Sequence, residues 1–221
     1  DYTGFNKSQY LHSLSTSKFI YKVLGIPNHS YEKEYLINKK SEEIKLLKSK
    51  LHLREDTKFM TITSRPDDST FCNSKDREAY LKAIGSYLSN NIKWHLLIKA
   101  HPKEKEYTKE QWAKFLGLSI NQNNFSITKK SPLELATVSN IGFSFVSTSC
   151  IDFAFFGTPM FELTSLNKTK FRHKTTFFSN DGFPLTAEAF HKLTINIKSK
   201  EELNIILKNL ENEINHYSDI V

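Results

Sequence analysis

Ile141-Gly142-Phe143-Ser144-Phe145-Val146-Ser147-Thr148-Ser149-Cys150-Ile151-Asp152-Phe153-Ala154-Phe155-Phe156-Gly157-Thr158-Pro159-Met160-Phe161-Glu162-Leu163 holds a strand, a helix and a second strand in one short stretch. Residues 141–146 form an apolar, β-prone run closed by three adjacent hydroxyl residues. Residues 148–156 continue as a helix that Gly157 ends, and 159–163 return as a strand. Short strands alternating with helices imply right-handed crossovers and a mostly parallel sheet.

The same alternation extends in both directions. Upstream, strands are predicted over 58–63, 93–99 and 125–127, with helices over 75–89, 111–116 and 132–138. Ser131 is the expected N-cap of the last of these, with Pro132 at the first helical position. Downstream, an amphipathic helix is predicted over 201–213. The fold class is therefore α/β, a Rossmann-like and mostly parallel sheet flanked by helices. Residues 1–55 differ in texture, being polar and rich in Ser, Lys, Asn and Tyr. They are predicted to be a helical linker or remnant with helices over 8–23 and 42–53 and a connector at Gly25-Ile26-Pro27-Asn28. Residues 56–221 form the Rossmann-like domain.

Composition narrows the function. The chain has 221 residues, 38% of them hydrophobic, enough for a sizeable core. Lys plus Arg exceed Asp plus Glu by 31 − 24 = 7, which favours a polyanionic partner without choosing one. Two cysteines give neither a disulfide framework nor a thiolate metal site, and a cytoplasmic, reducing setting is expected. No apolar run is long enough to span a bilayer, and the N-terminus lacks the pattern of a signal peptide; its missing initiator Met suggests a piece of something longer.

In a parallel sheet of this kind ligands bind at the carboxyl ends of the strands. Those ends offer Arg65 after the first strand, His101 before Pro102 after the second, and Ser147, Thr148 and Ser149 after 141–146. A guanidinium, an imidazole and hydroxyls at a helix N-terminus together suit a phosphate or pyrophosphate. Taken singly, each has a plainer explanation: Arg65 as a solvated turn residue, His101 as an edge cap, one hydroxyl as an N-cap. Neither GxGxxG nor GxxxxGK[ST] occurs, which argues against a dinucleotide dehydrogenase and a P-loop NTPase. Glu162 sits where a ribose contact would be reasonable, with a surface glutamate as its plainer alternative.

The blocks Thr61-Ile62-Thr63-Ser64-Arg65, Leu96-Leu97-Ile98-Lys99-Ala100-His101-Pro102, Glu134–Asn140, Phe145–Phe153 and Gly157-Thr158-Pro159-Met160-Phe161-Glu162 occur in an order that resembles a known group. They are similar to the donor-nucleotide-binding domain of GT-B bacterial capsule and teichoic-acid glycosyltransferases. That group includes CDP-glycerol glycerophosphotransferases and capsular polymerases such as polysialyltransferases, which share an HP motif and a serine motif. The resemblance covers roughly residues 57 to 210. It implies that His101 is catalytic and contacts the donor phosphate, that Ser147 and Thr148 match the serine motif, and that Arg65 matches the basic residue closing the first strand. Asp152 matches an acidic position. The acidic-aromatic pair before the serines is replaced by Phe145-Val146, and the first motif lacks its Pro-Thr. The donor is thus open between a CDP-polyol, a CMP-activated acidic sugar and another nucleotide-sugar.

The resemblance implies a transferase acting in surface polysaccharide synthesis, with a nucleotide-activated donor and a polyanionic or lipid-linked saccharide acceptor. No metal and no cofactor is expected, since no DxD-like or HxH pair occurs. The general base is expected outside this chain. Lys168-Thr169-Lys170-Phe171-Arg172-His173-Lys174 has a solvated loop as its plainer explanation; if functional, it would guide such an acceptor, or peripheral association at the inner face of the membrane, rather than nucleic acid. Trp94 and Trp112 are expected in the core, and His191 and His216 have no assigned role. Two other functions fit the same features. One is a UDP-sugar 2-epimerase, for which a Gly-rich segment would be expected in place of Ser147-Thr148-Ser149; the other is a non-catalytic basic binding module.

Overall fold

Six parallel strands in the order β3-β2-β1-β4-β5-β8 form the centre of the computed structural model, which describes residues 27–66, 71–122, 124–166 and 177–218. The strands are β1 (Lys58–Thr63), β2 (Trp94–Lys99), β3 (Phe125–Ile127), β4 (Ile141–Ser144), β5 (Met160–Leu163) and β8 (Ile195–Ile197). Between β5 and β8 lies a small antiparallel pair, β6 (Phe177–Phe178) and β7 (Pro184–Leu185). The helices are α1 (Pro27–Lys50), α2 (Ser74–Asn90), α3 (Lys109–Leu116), α4 (Pro132–Val138), α5 (Ser149–Phe155), α6 (Ala187–Phe190) and α7 (Lys200–Ser218). The chain runs outward from β1 to β3 and then returns to β4 on the other side of β1. The direction of winding therefore reverses between β1 and β4.

Alternation along each strand divides the core. Met60, Ile62, Trp94, Leu96, Ile98, Ile141, Phe143, Phe161 and Leu163 meet α2, α3 and α7 on one face. Phe59, Leu97 and Met160 meet α4 and α5 on the other. Trp94 and Trp112 are both in the first core, at 1% and 0% exposure. Each fully buried large side chain contributes about 1.5–3 kcal/mol. The second face turns polar toward the carboxyl ends, where Thr63, Ser144, Glu162 and Asn196 lie side by side across β1, β4, β5 and β8.

Most predicted elements lie within two residues of their observed positions, and the differences have physical causes. The strand expected over 141–146 stops at Ser144 because Val146 takes the left-handed conformation, φ 57°. Ser131 caps α4 as expected: its hydroxyl accepts from the Glu134 amide and Glu134 returns a carboxylate to the Ser131 N–H, a reciprocal capping box. Gly157, φ 66°, closes the turn after α5. The first half of the expected connector, Gly25 and Ile26, lies outside the described residues; Pro27, Asn28 and most of the helix expected over 42–53 belong to one helix, Pro27–Lys50, with Pro27 in its first turn, where the missing N–H costs nothing. Its sequence hides it, since Tyr35, Ile37 and Leu46 are exposed while Ile44 and Leu47 reach the second core. Lys130 binds both Glu43 (2.9 Å) and Glu134 (3.2 Å), tying α1 to α4. The helix expected over 8–23 lies outside the described residues.

Gly85 sets how closely α2 approaches α3: a Cβ there would lie 1.9 Å from the Leu116 carbonyl oxygen. Replacing Gly by Ala inside a helix ordinarily stabilises it by about 1 kcal/mol. Here Gly85→Ala is expected to destabilise by about 1–3 kcal/mol through overpacking, read from urea unfolding. An unchanged or raised midpoint would contradict this contact.

Candidate functional site

The end of β1 carries Thr63, Ser64 and Arg65, and each of these residues reaches a neighbouring loop. Ser64 donates its N–H to the Lys99 carbonyl at the end of β2 (2.8 Å). Thr63 Oγ1 accepts from the Ser149 hydroxyl at the start of α5 (3.1 Å). Arg65 Nη1 donates to the Val146 carbonyl in the loop after β4 (2.7 Å), and its guanidinium lies 4.8 Å from the Phe71 ring centre. The loops after β1, β2 and β4 are thus joined at the point where the winding reverses, the place where open α/β sheets bind ligands.

The left-handed turn at Val146 makes this junction. A β-branched residue at positive φ is a steric outlier costing roughly 1–3 kcal/mol, kept only where surrounding bonds over-determine it. Val146 is buried at 8% exposure and its carbonyl is held by Arg65. The turn sends the chain up into Ser147 and Thr148. Thr148 stands at the N-cap of α5 but makes no capping bond and is exposed, so the N-cap explanation fails for it. Ser147 is half-buried, and its Oγ lies 3.4 Å from the Ser149 amide.

His101 follows β2 in a tight turn. Glu104 donates its N–H to the His101 carbonyl (2.9 Å), with Pro102 in the second position, where its fixed φ suits the turn. The Lys103 amide donates to His101 Nδ1 (3.1 Å). Nδ1 is thereby the acceptor of the neutral ring, and Nε2 carries the proton. The half-buried imidazole therefore presents an N–H donor at the same edge as Arg65, Ser147 and Thr148.

Two sequence-derived site residues are placed differently. Ser149 is buried and donates its hydroxyl to Thr63, so it holds the loop and turns no hydroxyl outward. Glu162 is neither a surface residue nor a rim residue: it has 0% exposure and lies inside β5. A carboxyl with no exposed surface offers nothing to a ribose in this conformation. Its Oε2 accepts from Thr186 and from Thr194 (3.0 Å), while Oε1 finds no partner among the described residues. Burial raises its pKa to about 7; the threonine hydrogen bonds pull the other way. Asp152 is half-buried in the first turn of α5. The basic run 168–174 lies outside the described residues.

Sequence reading missed Thr63, Ser64, Arg77 and Glu104. Arg77 Nη2 binds Ser64 Oγ (2.9 Å) and Glu104 Oε1 (2.8 Å), a pair whose side chains are 13% and 2% exposed. The available signal was Glu104 itself, three residues past a histidine across a proline. Among the described residues no group of three or more His, Cys, Asp or Glu side chains is placed to hold a metal ion. No helix among them is long and apolar enough to cross a membrane.

Glu162 supplies a pH test. Its folded-state pKa, about 7, lies above the ordinary 4.5, so the folded protein binds the proton more tightly than the unfolded chain. The resulting stabilisation is complete below pH 4.5 and is lost as pH rises to about 7. Glu162→Gln removes it, so the stability of wild type relative to Glu162→Gln falls across pH 4.5–7 and is flat above. Urea midpoints for both proteins over pH 4.5–8 check this, and parallel curves would contradict it.

No protein-family model matches the sequence, and no curated protein matches it. Solved structures do share its fold. The wall teichoic acid polymerase TagF aligns with 84% of this chain and 43% of its own at TM-score 0.55 and 18% identity. The S. aureus MnaA–UDP co-structure aligns with 78% of this chain and 41% of its own, at TM-score 0.52 and 14% identity. UDP-GlcNAc 2-epimerase from Neisseria meningitidis, bound to UDP-GlcNAc, aligns with 83% and 46% at TM-score 0.51 and 13% identity. This chain spans less than half the length of each, and what it shares with them is the α/β Rossmann-like fold.

Proposed function

We propose that this chain is the donor-binding half of a GT-B transferase that takes a nucleotide-activated sugar or polyol phosphate for bacterial surface polysaccharide synthesis. Residues 56–221 are the binding unit and 1–55 the segment leading into it. One observation carries the reading: Arg65, His101, Ser147 and Thr148 leave the carboxyl edge of three adjacent strands at the winding reversal. The fold shared with TagF and with two proteins whose structures contain UDP or UDP-GlcNAc supports a nucleotide as the ligand.

In such a reaction an acceptor hydroxyl attacks the activated centre and the nucleotide leaves with its bonding electron pair. The donor half stabilises the charge that gathers on the departing phosphate. His101 Nε2–H donates a hydrogen bond to that phosphate, while Arg65 supplies a permanent positive charge. Thr148 and Ser147 add neutral hydroxyl donors. The base that takes the acceptor proton lies outside this chain. The acceptor is a polyanionic or lipid-linked saccharide met at the inner face of the membrane, drawn by the excess of basic residues. An epimerase of the UDP-sugar type is the second reading, since UDP-GlcNAc 2-epimerase from Neisseria meningitidis shares the fold.

Calorimetric titration with CMP, CDP, UDP and a short oligonucleotide tests the reading. We expect mononucleotide binding that weakens about ten- to a hundredfold in His101→Ala and in Arg65→Ala, the value of one charge-assisted hydrogen bond. Thr148→Ala, which loses no cap, is expected to weaken binding with an unchanged melting temperature. Preference for a cytidine nucleotide favours the transferase and preference for UDP favours the epimerase. Salt-sensitive oligonucleotide binding with no mononucleotide response would overturn both.

A further inference from the structure

Glu104 is an acid at the edge of a site that needs positive charge. Its side chain is 2% exposed, and both carboxylate oxygens are engaged by groups from three elements. Oε1 accepts from Ser64 Oγ at the end of β1 (2.9 Å) and from Arg77 Nη2 on α2 (2.8 Å). Oε2 accepts from the His101 backbone N–H (3.3 Å). Arg77 also donates to Ser64 and lies over the Phe145 ring just beyond β4, 5.3 Å from its centre. A single buried ion pair therefore fastens the His101 turn to β1 and to the start of the β4 loop.

A buried ion pair is a poor device for stability, because desolvating both charges offsets most of their attraction. A packed apolar pair would serve stability as well. What the pair does here that apolar side chains cannot is to accept the His101 N–H and the Ser64 hydroxyl together. Arg77 also cancels the Glu104 charge beside the phosphate donors, so the site keeps its positive potential from Arg65. The local sequence is built for it: Pro102 shapes the turn, and Glu104 three residues on folds back over it while the Lys103 amide orients the ring.

We propose that Glu104, backed by Arg77, is a positioning residue that holds the His101 turn on β1 and so aims the imidazole Nε2–H at the ligand phosphate. The second half of this statement rests on the phosphate-binding reading of the site; the first half does not. Two measurements separate them. Amide hydrogen exchange at His101 without ligand reads the tether alone. We expect at least tenfold faster exchange at His101 in Glu104→Ala, with the amides of β1 and β2 unchanged. Because that variant strands the Arg77 charge and risks misfolding, Glu104→Leu with Arg77→Leu is measured beside it and is expected to show the same local loss.

Calorimetric titration with CDP then reads the aim. Either variant is expected to bind CDP five- to tenfold more weakly. Placed on a His101→Ala background, Glu104→Ala is expected to cost nothing further, because its effect runs through the ring. Unchanged exchange at His101, unchanged CDP affinity in a protein that responds to His101→Ala, or an equal loss on the His101→Ala background would each overturn the proposal. If His101→Ala itself leaves CDP binding intact, the phosphate reading is overturned, and accelerated exchange in Glu104→Ala still upholds the tether.

Discussion

The bond from Arg65 to the Val146 carbonyl is the constraint on which the carboxyl edge depends. β4 cannot continue past Ser144 because Val146 has a positive φ, and that conformation persists only because something holds it. Arg65 holds it from β1, on the far side of the winding reversal. The guanidinium, always charged and rich in donors, can grip a carbonyl while remaining the permanent cation of the rim. Structure and electrostatics are therefore supplied by the same side chain.

Beneath the rim the sheet is unusual in its second face. Apolar at Phe59, Leu97 and Met160, it becomes a transverse polar row at Thr63, Ser144, Glu162 and Asn196. Thr63 uses this row to hold Ser149 and hence the start of α5. Ser144 Oγ, Glu162 Oε1 and Asn196 Nδ2 find no partner among the described residues, so the row retains unmet polar capacity inside a well-packed domain. Such groups are costly in a low-dielectric interior, and a protonated Glu162 is the cheaper form of its carboxyl there.

How much of this was legible depended on how each element announces itself. The central strands are short apolar runs flanked by turn residues, α4 has a clear cap at Ser131 and α5 a clear stop at Gly157, so they could be read directly. α1 was legible only in part, over 42–50, because apolar residues further upstream in it such as Tyr35 and Ile37 are exposed and set no buried stripe. β6, β7 and β8 are too short for alternation to rise above chance. That Arg65, His101, Ser147 and Thr148 leave one edge of the sheet was legible, because in a parallel sheet the carboxyl ends of the strands share an edge. Ser149 and Glu162 were misjudged because direction is set by backbone register: Ser149 turns under its helix, and Glu162 faces the interior beside Ser144. Glu104 and Arg77 carry no local sequence signal of their role, because only the fold brings the two charges together and buries them.

The central claim is that three separated loops make one rim for a nucleotide phosphate. The most direct measurement is amide chemical-shift mapping during a CDP titration of the whole chain. The account predicts that Ser64 and Arg65, His101 and Lys103, and Ser147 to Ser149 shift together and saturate with one common Kd. Shifts confined to a single loop, or separate dissociation constants for the three, would contradict it.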